Sequence, residues 1–194
     1  MKVLICTDAW YPQVNGVCRT LKNLGDELKK IGHDVEYIEP NLFFTIPMPK
    51  YNEIKLSLNV WPRVGTLIKK AKADVVHIAT EGPIGIFAKR YCVKNNIKFT
   101  TSYHTQFDKY LKLYYPYLPI KLAQKFLKNF HKKAEKILVT TQSMKEELEE
   151  IGFNKDQMVV WTRGANHSSF QNPKKINLEY KRPIFLYVGR VSIE

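Results

Sequence analysis

The chain begins on a short apolar run, "KVLIC" at residues 2–6, which has the length of a strand buried on both faces. In the stretch "NGVCRTLKNLGDELKKIGHDV" that follows, Val17, Leu21, Leu24, Leu28 and Ile31 fall at alternating steps of four and three. Such spacing draws one apolar stripe along a helix, and Gly32 is placed to end it. The same two patterns then alternate. "DVEYI", "DVVHIA", "KFTTSY", "KILVTT" and "MVVW" read as strands, and residues 63–73, 83–95, 120–134 and 143–151 read as helices. Strands alternating with helices predict an α/β fold, a doubly wound parallel sheet with helices on both faces. The segment "EPNLFFTIPMPKYNEIKLSLNVWPR" has no clean period and reads as an excursion between the second strand and the next helix.

The pattern changes near the end. Residues 173–183 are polar and bounded by Pro173 and Pro183, as an interdomain linker would be, and "IFLYV" after them is apolar enough for another buried strand, followed by Gly189 and Arg190. This predicts a domain over 1–172, a linker over 173–183, and over 184–194 the first strand of a further domain.

Composition agrees with a soluble globular chain: 194 residues, 44% hydrophobic and 25% charged. No apolar run approaches the roughly 18 residues of a spanning helix, and "MKVLICTDAW" turns polar too early for a signal peptide, so a cytoplasmic placement is expected. Cys6, Cys18 and Cys92 are odd in number and widely spaced, which fits reduced thiols in apolar positions. The net charge of +13 and pI near 9.6 call for a polyanionic partner: nucleic acid, an anionic membrane surface or a phosphorylated substrate.

In a doubly wound sheet, ligands sit at the carboxyl ends of the strands, so the chemistry is sought in "TDAWYPQVNGV", "TEGPIG", "YHTQFDKY" and "TTQSM". Each precedes a predicted helix, whose free N–H groups favour phosphate or sugar hydroxyls. Gly16 stands at a strand-to-helix junction, where it serves as a plain turn or lets backbone N–H groups approach a ligand. The fingerprint G-x-G-x-x-G is missing there, which argues against a dinucleotide cofactor. His104 ends a strand among Tyr103, Thr105 and Gln106, while His77 lies inside an apolar run and reads as a core histidine. Glu81 and Gly82 either bind acceptor hydroxyls or cap the next helix. The five histidines are scattered without ligand spacing, so no metal site is expected.

"TDAWYPQVNGVCRTLKNLGDELKKIGHDV", "HIATEGPIG", "TTSYHTQFDKY", "VVWTRGANHSSF" and the terminal "FLYVGR", in that order, resemble the N-terminal half of retaining GT-B glycosyltransferases of family 4, in the bacterial mannosyl- and glycolipid-forming branch. The resemblance implies a Rossmann-like acceptor-side domain, with most of the donor site in a second domain that this chain lacks or that a separate chain supplies. It implies transfer of a hexose from a nucleotide diphosphate sugar, GDP-mannose or a UDP-sugar, to a membrane lipid with retention and without a metal. Residue by residue, it places His104 near the reacting centre, Gly16 and Arg190 on donor sugar or phosphate, and Asn15, Glu81, Gly82 and Tyr103 on acceptor or sugar. The chain departs from the family at "RGANHSSF", where Ala165, Asn166 and His167 replace the usual Val-Asp-Thr. The alternative is an inactive remnant, or a module that binds membrane or acceptor without catalysis.

The basic charge is concentrated in "YLKLYYPYLPIKLAQKFLKNFHKKAEK". Leu122, Ala123, Phe126, Leu127 and Phe130 are expected on one helical face, with Lys121, Lys125, Lys128 and Lys132 largely off it and Tyr114 to Tyr117 alongside. Together they predict a peripheral contact with an anionic membrane, in this family at the inner face of the cytoplasmic membrane. Nucleic acid ranks third, because no recognised binding module accompanies the charge.

Overall fold

The computed structural model describes residues 1–13, 15–48, 51–104, 117, 119–164 and 183–189. Linker positions 173–182, Arg190, Tyr114 and the hinge residues Ala165, Asn166 and His167 lie outside the described residues.

The sheet has six strands, all parallel, in the order β2-β1-β5-β6-β7-β8. They are β1 (Lys2–Cys6), β2 (Asp34–Ile38), β5 (Val75–Ile78), β6 (Phe99–Tyr103), β7 (Ile137–Val139) and β8 (Met158–Val160). The chain first adds β2 on one side of β1 and later β5 on the other, so the order reverses between β1 and β5. Ligand crevices form at such a reversal in open α/β sheets.

The alternation of side chains assigns the helices to faces. Leu4 and Cys6 of β1 point to one side with Val76 and Ile78 of β5. There they meet α2 (Arg63–Ala71), α3 (Pro83–Lys94), α4 (Ile120–His131) and α5 (Gln142–Glu150), through buried Val64, Ile84, Leu127 and Leu148. Ile5 points the other way, with Val35, onto Leu21 of α1 (Gly16–Lys30). The predicted stripe of α1 holds except at its end, where Ile31 caps the helix and is 70% exposed. All three cysteines are free and buried.

The excursion proves to contain an antiparallel hairpin, β3 (Thr45–Met48) and β4 (Tyr51–Ser57), with an irregularity between Pro47 and Met48. Residues 183–189, where another buried strand was expected, carry no regular structure. Phe185, Leu186, Tyr187 and Val188 are 73 to 92% exposed. On α4, Ala123, Leu127 and Phe130 are buried as expected, whereas Leu122 and Phe126 face out, 58% and 41% exposed. The buried stripe turns toward His131 instead, because that side of the helix meets the sheet. Lys121, Lys125, Lys128 and Lys132 are all exposed. Among the described residues no helix is long and apolar enough to cross a membrane.

Candidate active site

The loop after β1 is held by a residue that did not stand out in the sequence. Asp8 accepts hydrogen bonds at Oδ1 from the Ile84 amide (2.8 Å) and at Oδ2 from the Gly85 amide (3.2 Å) and the Thr80 hydroxyl (2.9 Å). Its own amide donates to Thr80 Oγ1 at 2.7 Å. The helix these amides begin, α3, has no side-chain cap from the residue at its N-cap position, Gly82. Asp8 therefore caps α3 from across the sheet-order reversal, placing a negative charge at the positive end of the helix. Burial nevertheless outweighs the three hydrogen bonds, and with the nearby Glu81 charge it pushes the Asp8 carboxyl up to about 6. The capping role that the sequence left open for Gly82 takes a specific form. A side chain there would put its Cβ 2.5 Å from the Asp8 carboxyl carbon, so only glycine admits this contact. The free N–H groups of α3 expected to face a ligand are turned to Asp8.

Asn15 caps α1, its Oδ1 accepting from the Cys18 amide at 2.9 Å. Next to it Gly16 opens the helix, and among the described residues a Cβ built on Gly16 meets only Arg163 Nη1, at 3.8 Å. Arg163, in the segment after β8, donates from Nη2 to the His104 carbonyl at 3.1 Å. Gly16, His104 and Arg163 thus gather at the carboxyl edge of the sheet, with the Trp161 ring 6.1 Å from that of His104.

His104 is the unusual member. Both of its ring nitrogens are buried and have no hydrogen-bond partner among the described residues. Burial, and after it the positive charge of Arg163, drives its pKa down to about 3, so the ring is neutral at ordinary pH. A neutral imidazole offers one donor and one acceptor, which is the complement of a pair of sugar hydroxyls. His77 has no such freedom. Its two nitrogens meet Thr100 Oγ1 (2.8 Å) and Ser102 Oγ (2.9 Å), and burial lowers it to about 4, the core histidine the sequence suggested.

Tyr103 and Glu81, expected on acceptor or sugar, point elsewhere. Adjacent strand residues face opposite ways, so with His104 at the open edge the Tyr103 ring enters the core, 2% exposed, against His131 and Phe153. The Glu81 carboxylate is largely buried, with Oε1 3.3 Å from Nε2 of His131, whose Nδ1 meets Thr101 Oγ1 at 2.9 Å. Among the described residues no three His, Cys, Asp or Glu side chains stand together as a metal site. Arg163 was missed although "VVWTRGANHSSF" was noticed as a motif; a cation three residues past a strand end was the available signal.

Comparison with known proteins adds to this geometry. A family model described as Glycosyltransferase Family 4 matches residues 14–169. The chain is 26% identical over 192 residues to the sulfoquinovosyl transferase SQD2 of Arabidopsis thaliana, covering 91% of this chain and 38% of that protein. It is 22% identical over an alignment of 220 residues to the alpha-monoglucosyldiacylglycerol synthase of Streptococcus pneumoniae, covering 100% of this chain and 50% of that one. Its fold superposes on Anabaena Alr3699/HepE, solved in complex with UDP-glucose, with a TM-score of 0.58 at 11% identity, over 90% of this chain and 47% of the other. The chain thus spans half the length of these relatives or less.

Proposed function

Because the chain belongs to glycosyltransferase family 4, we propose that it supplies the acceptor side of an enzyme that moves a hexose from a nucleotide diphosphate sugar to a membrane lipid, with retention. The observation that carries the reading is His104, a neutral imidazole with two unpaired buried nitrogens beside the Arg163 guanidinium. Unpaired buried polar atoms are costly, and a ligand hydroxyl removes that cost. In this proposal His104 orients a sugar hydroxyl next to the reacting carbon. Arg163, beside the open start of α1 at Gly16, stabilises negative charge on the leaving diphosphate. Cations and helix N–H groups then do the work of a divalent ion, and transfer proceeds in EDTA.

A lipid acceptor is supported by the relatives: one is named for the synthesis of a glucosylated diacylglycerol. It is supported also by the exposed mixture of Lys121, Lys125, Leu122 and Phe126 on α4, suited to an anionic interface. On this reading the protein is peripheral to the membrane, and the donor nucleotide is held mainly by a second domain.

The test is transfer of radiolabelled glucose from UDP-glucose and of mannose from GDP-mannose to detergent-dispersed diacylglycerol and phospholipid, by the full-length polypeptide that carries this chain. Product is expected with one donor, and changing His104 to Ala should lower kcat by about 100-fold. No product from either donor would end the glycolipid reading. Unchanged kcat in the variant would remove His104 from the reaction.

A further inference from the structure

A cavity lies on the edge of the sheet opposite His104 and Arg163. It is about 620 Å³ in volume and opens between α4 and the segment 152–157. Ile137, the first residue of β7, lines it, and the segment on its far wall ends where β8 begins at Met158. This places it at the amino-terminal ends of β7 and β8, while Arg163 follows the carboxyl end of β8.

Its lining is one-sided in charge. Lys125, Lys128 and Lys132 line it together with Asn129, Asn154 and Gln157, and among the described residues no Asp or Glu contributes. Lys128 and Lys132 are three and seven residues on from Lys125, so α4 presents all three along one side. No carboxylate among the described residues forms an ion pair with any of them. Elsewhere on the surface lysines do find carboxylates, as Lys98 does with Glu135 at 2.8 Å and Lys22 with Asp26 at 2.8 Å.

The walls are fastened. Gln157 Nε2 donates to the Ala134 carbonyl at 2.7 Å and the Lys132 carbonyl at 3.3 Å, joining the end of α4 to the far wall. Lys136 Nζ holds the same segment through the Asp156 carbonyl at 2.9 Å. Gly152 turns the chain at φ +87°, and a Cβ built on it would stand 2.7 Å from Lys128 Nζ, so that ammonium lies against the glycine.

We propose that this cavity binds a phosphate group, carried either by a soluble phosphate ester or by the headgroup of an anionic phospholipid. Three lysines on one wall, side-chain amides and, among the described residues, no carboxylate in the lining are the chemistry that recognises a phosphate oxyanion. The site is independent of sugar transfer and is testable on this chain alone.

Amide resonances of the 15N-labelled chain are followed during titration with inorganic phosphate and glycerol phosphate. In a second arm, sedimentation measures binding to phosphatidylcholine vesicles with and without phosphatidylglycerol. The variant pair Lys128→Gln with Lys132→Gln is compared with a charge-matched pair outside the cavity, Lys69→Gln with Lys70→Gln, exposed at the end of α2. Saturable shifts at Gly152, Phe153 and Asn154 identify a soluble ester as the source, and selective binding to phosphatidylglycerol vesicles identifies the headgroup. In either case affinity should fall about 10-fold or more in the cavity pair, at roughly fivefold per surface cation, and less than about threefold in the control pair. Equal losses in the two pairs, or no saturable response in either arm, would overturn the site.

Discussion

Replacing Asp8 with asparagine should reverse part of the pH dependence of folding. In the folded chain this carboxyl titrates near 6, against an ordinary value of 3.8, because burial penalises its charged form more than its three hydrogen bonds favour it. The two-unit rise is worth at most about 3 kcal/mol at 1.36 kcal/mol per unit, and about 2 kcal/mol once the partial exposure of the residue is allowed for. The folded pKa is raised, so the stabilising contribution is complete below pH 3.8 and is lost as pH rises through 6. The carboxamide of the Asp8→Asn variant cannot titrate. It keeps one acceptor oxygen for the Ile84 amide but turns an NH2 group toward donors, so the variant should be the less stable protein at pH 4. That deficit should shrink by about 2 kcal/mol by pH 7.5. Urea denaturation followed by far-ultraviolet circular dichroism, on both chains at half-unit intervals from pH 4 to 7.5, gives the difference directly. Titrations common to both proteins, those of His77 and His104 included, cancel. A difference that stays constant with pH, or one that widens as pH rises, would show that the hydrogen bonds outweigh burial and would refute the reasoning.

His104→Leu removes two unpaired buried nitrogens, so it should raise stability by about 1 kcal/mol in a thermal melt while abolishing sugar transfer. A stability loss above about 1 kcal/mol would assign the ring a packing role instead. Gly85→Ala would drive a Cβ into the carbonyl oxygen of Thr80, a backbone atom that cannot move aside, and should cost about 1 to 3 kcal/mol in urea denaturation. His77 and His104 have folded pKa values of about 4 and about 3, below the ordinary 6.5. The stability they contribute is complete above pH 6.5 and lost as pH falls toward those values, and imidazole proton shifts should show both rings still neutral at about pH 5.5.

The order of strands and helices was legible because each element buries a full apolar face, and the steps of three and four in α1 or the run "KVLIC" record that burial directly. The hairpin of β3 and β4 was not. With Pro47 in one strand, an irregular register beside it and little of either strand fully buried, it leaves no alternation to detect. The run at residues 184–188 was read as a buried strand from its apolar content alone, and in this chain its side chains stand exposed. Gly16 and His104 drew notice in the sequence because one opens a helix and the other follows a strand, and the structure brings both to the carboxyl edge of the sheet beside Arg163. Tyr103 was miscast by proximity in sequence to His104, since one step along a strand reverses the face. Asp8 was invisible for another reason. Its partners lie 72 to 77 residues away, and only the pairing of β1 with β5 brings them together.

That latch has an evolutionary corollary. Asp8, Thr80, Gly82 and Gly85 form one fitting, in which the carboxylate accepts from the hydroxyl, Gly82 leaves room for the carboxylate and Gly85 for the Thr80 carbonyl. A lineage that lost the aspartate would free Gly82 to drift, and one that gained a side chain at Gly82 would have to surrender the aspartate first. These four positions are therefore expected to be inherited or exchanged as a set. The segments after β6 and β8 meet at a single described hydrogen bond, from Arg163 to the His104 carbonyl, and can be remodelled one at a time, which makes them the natural ground for changes of substrate.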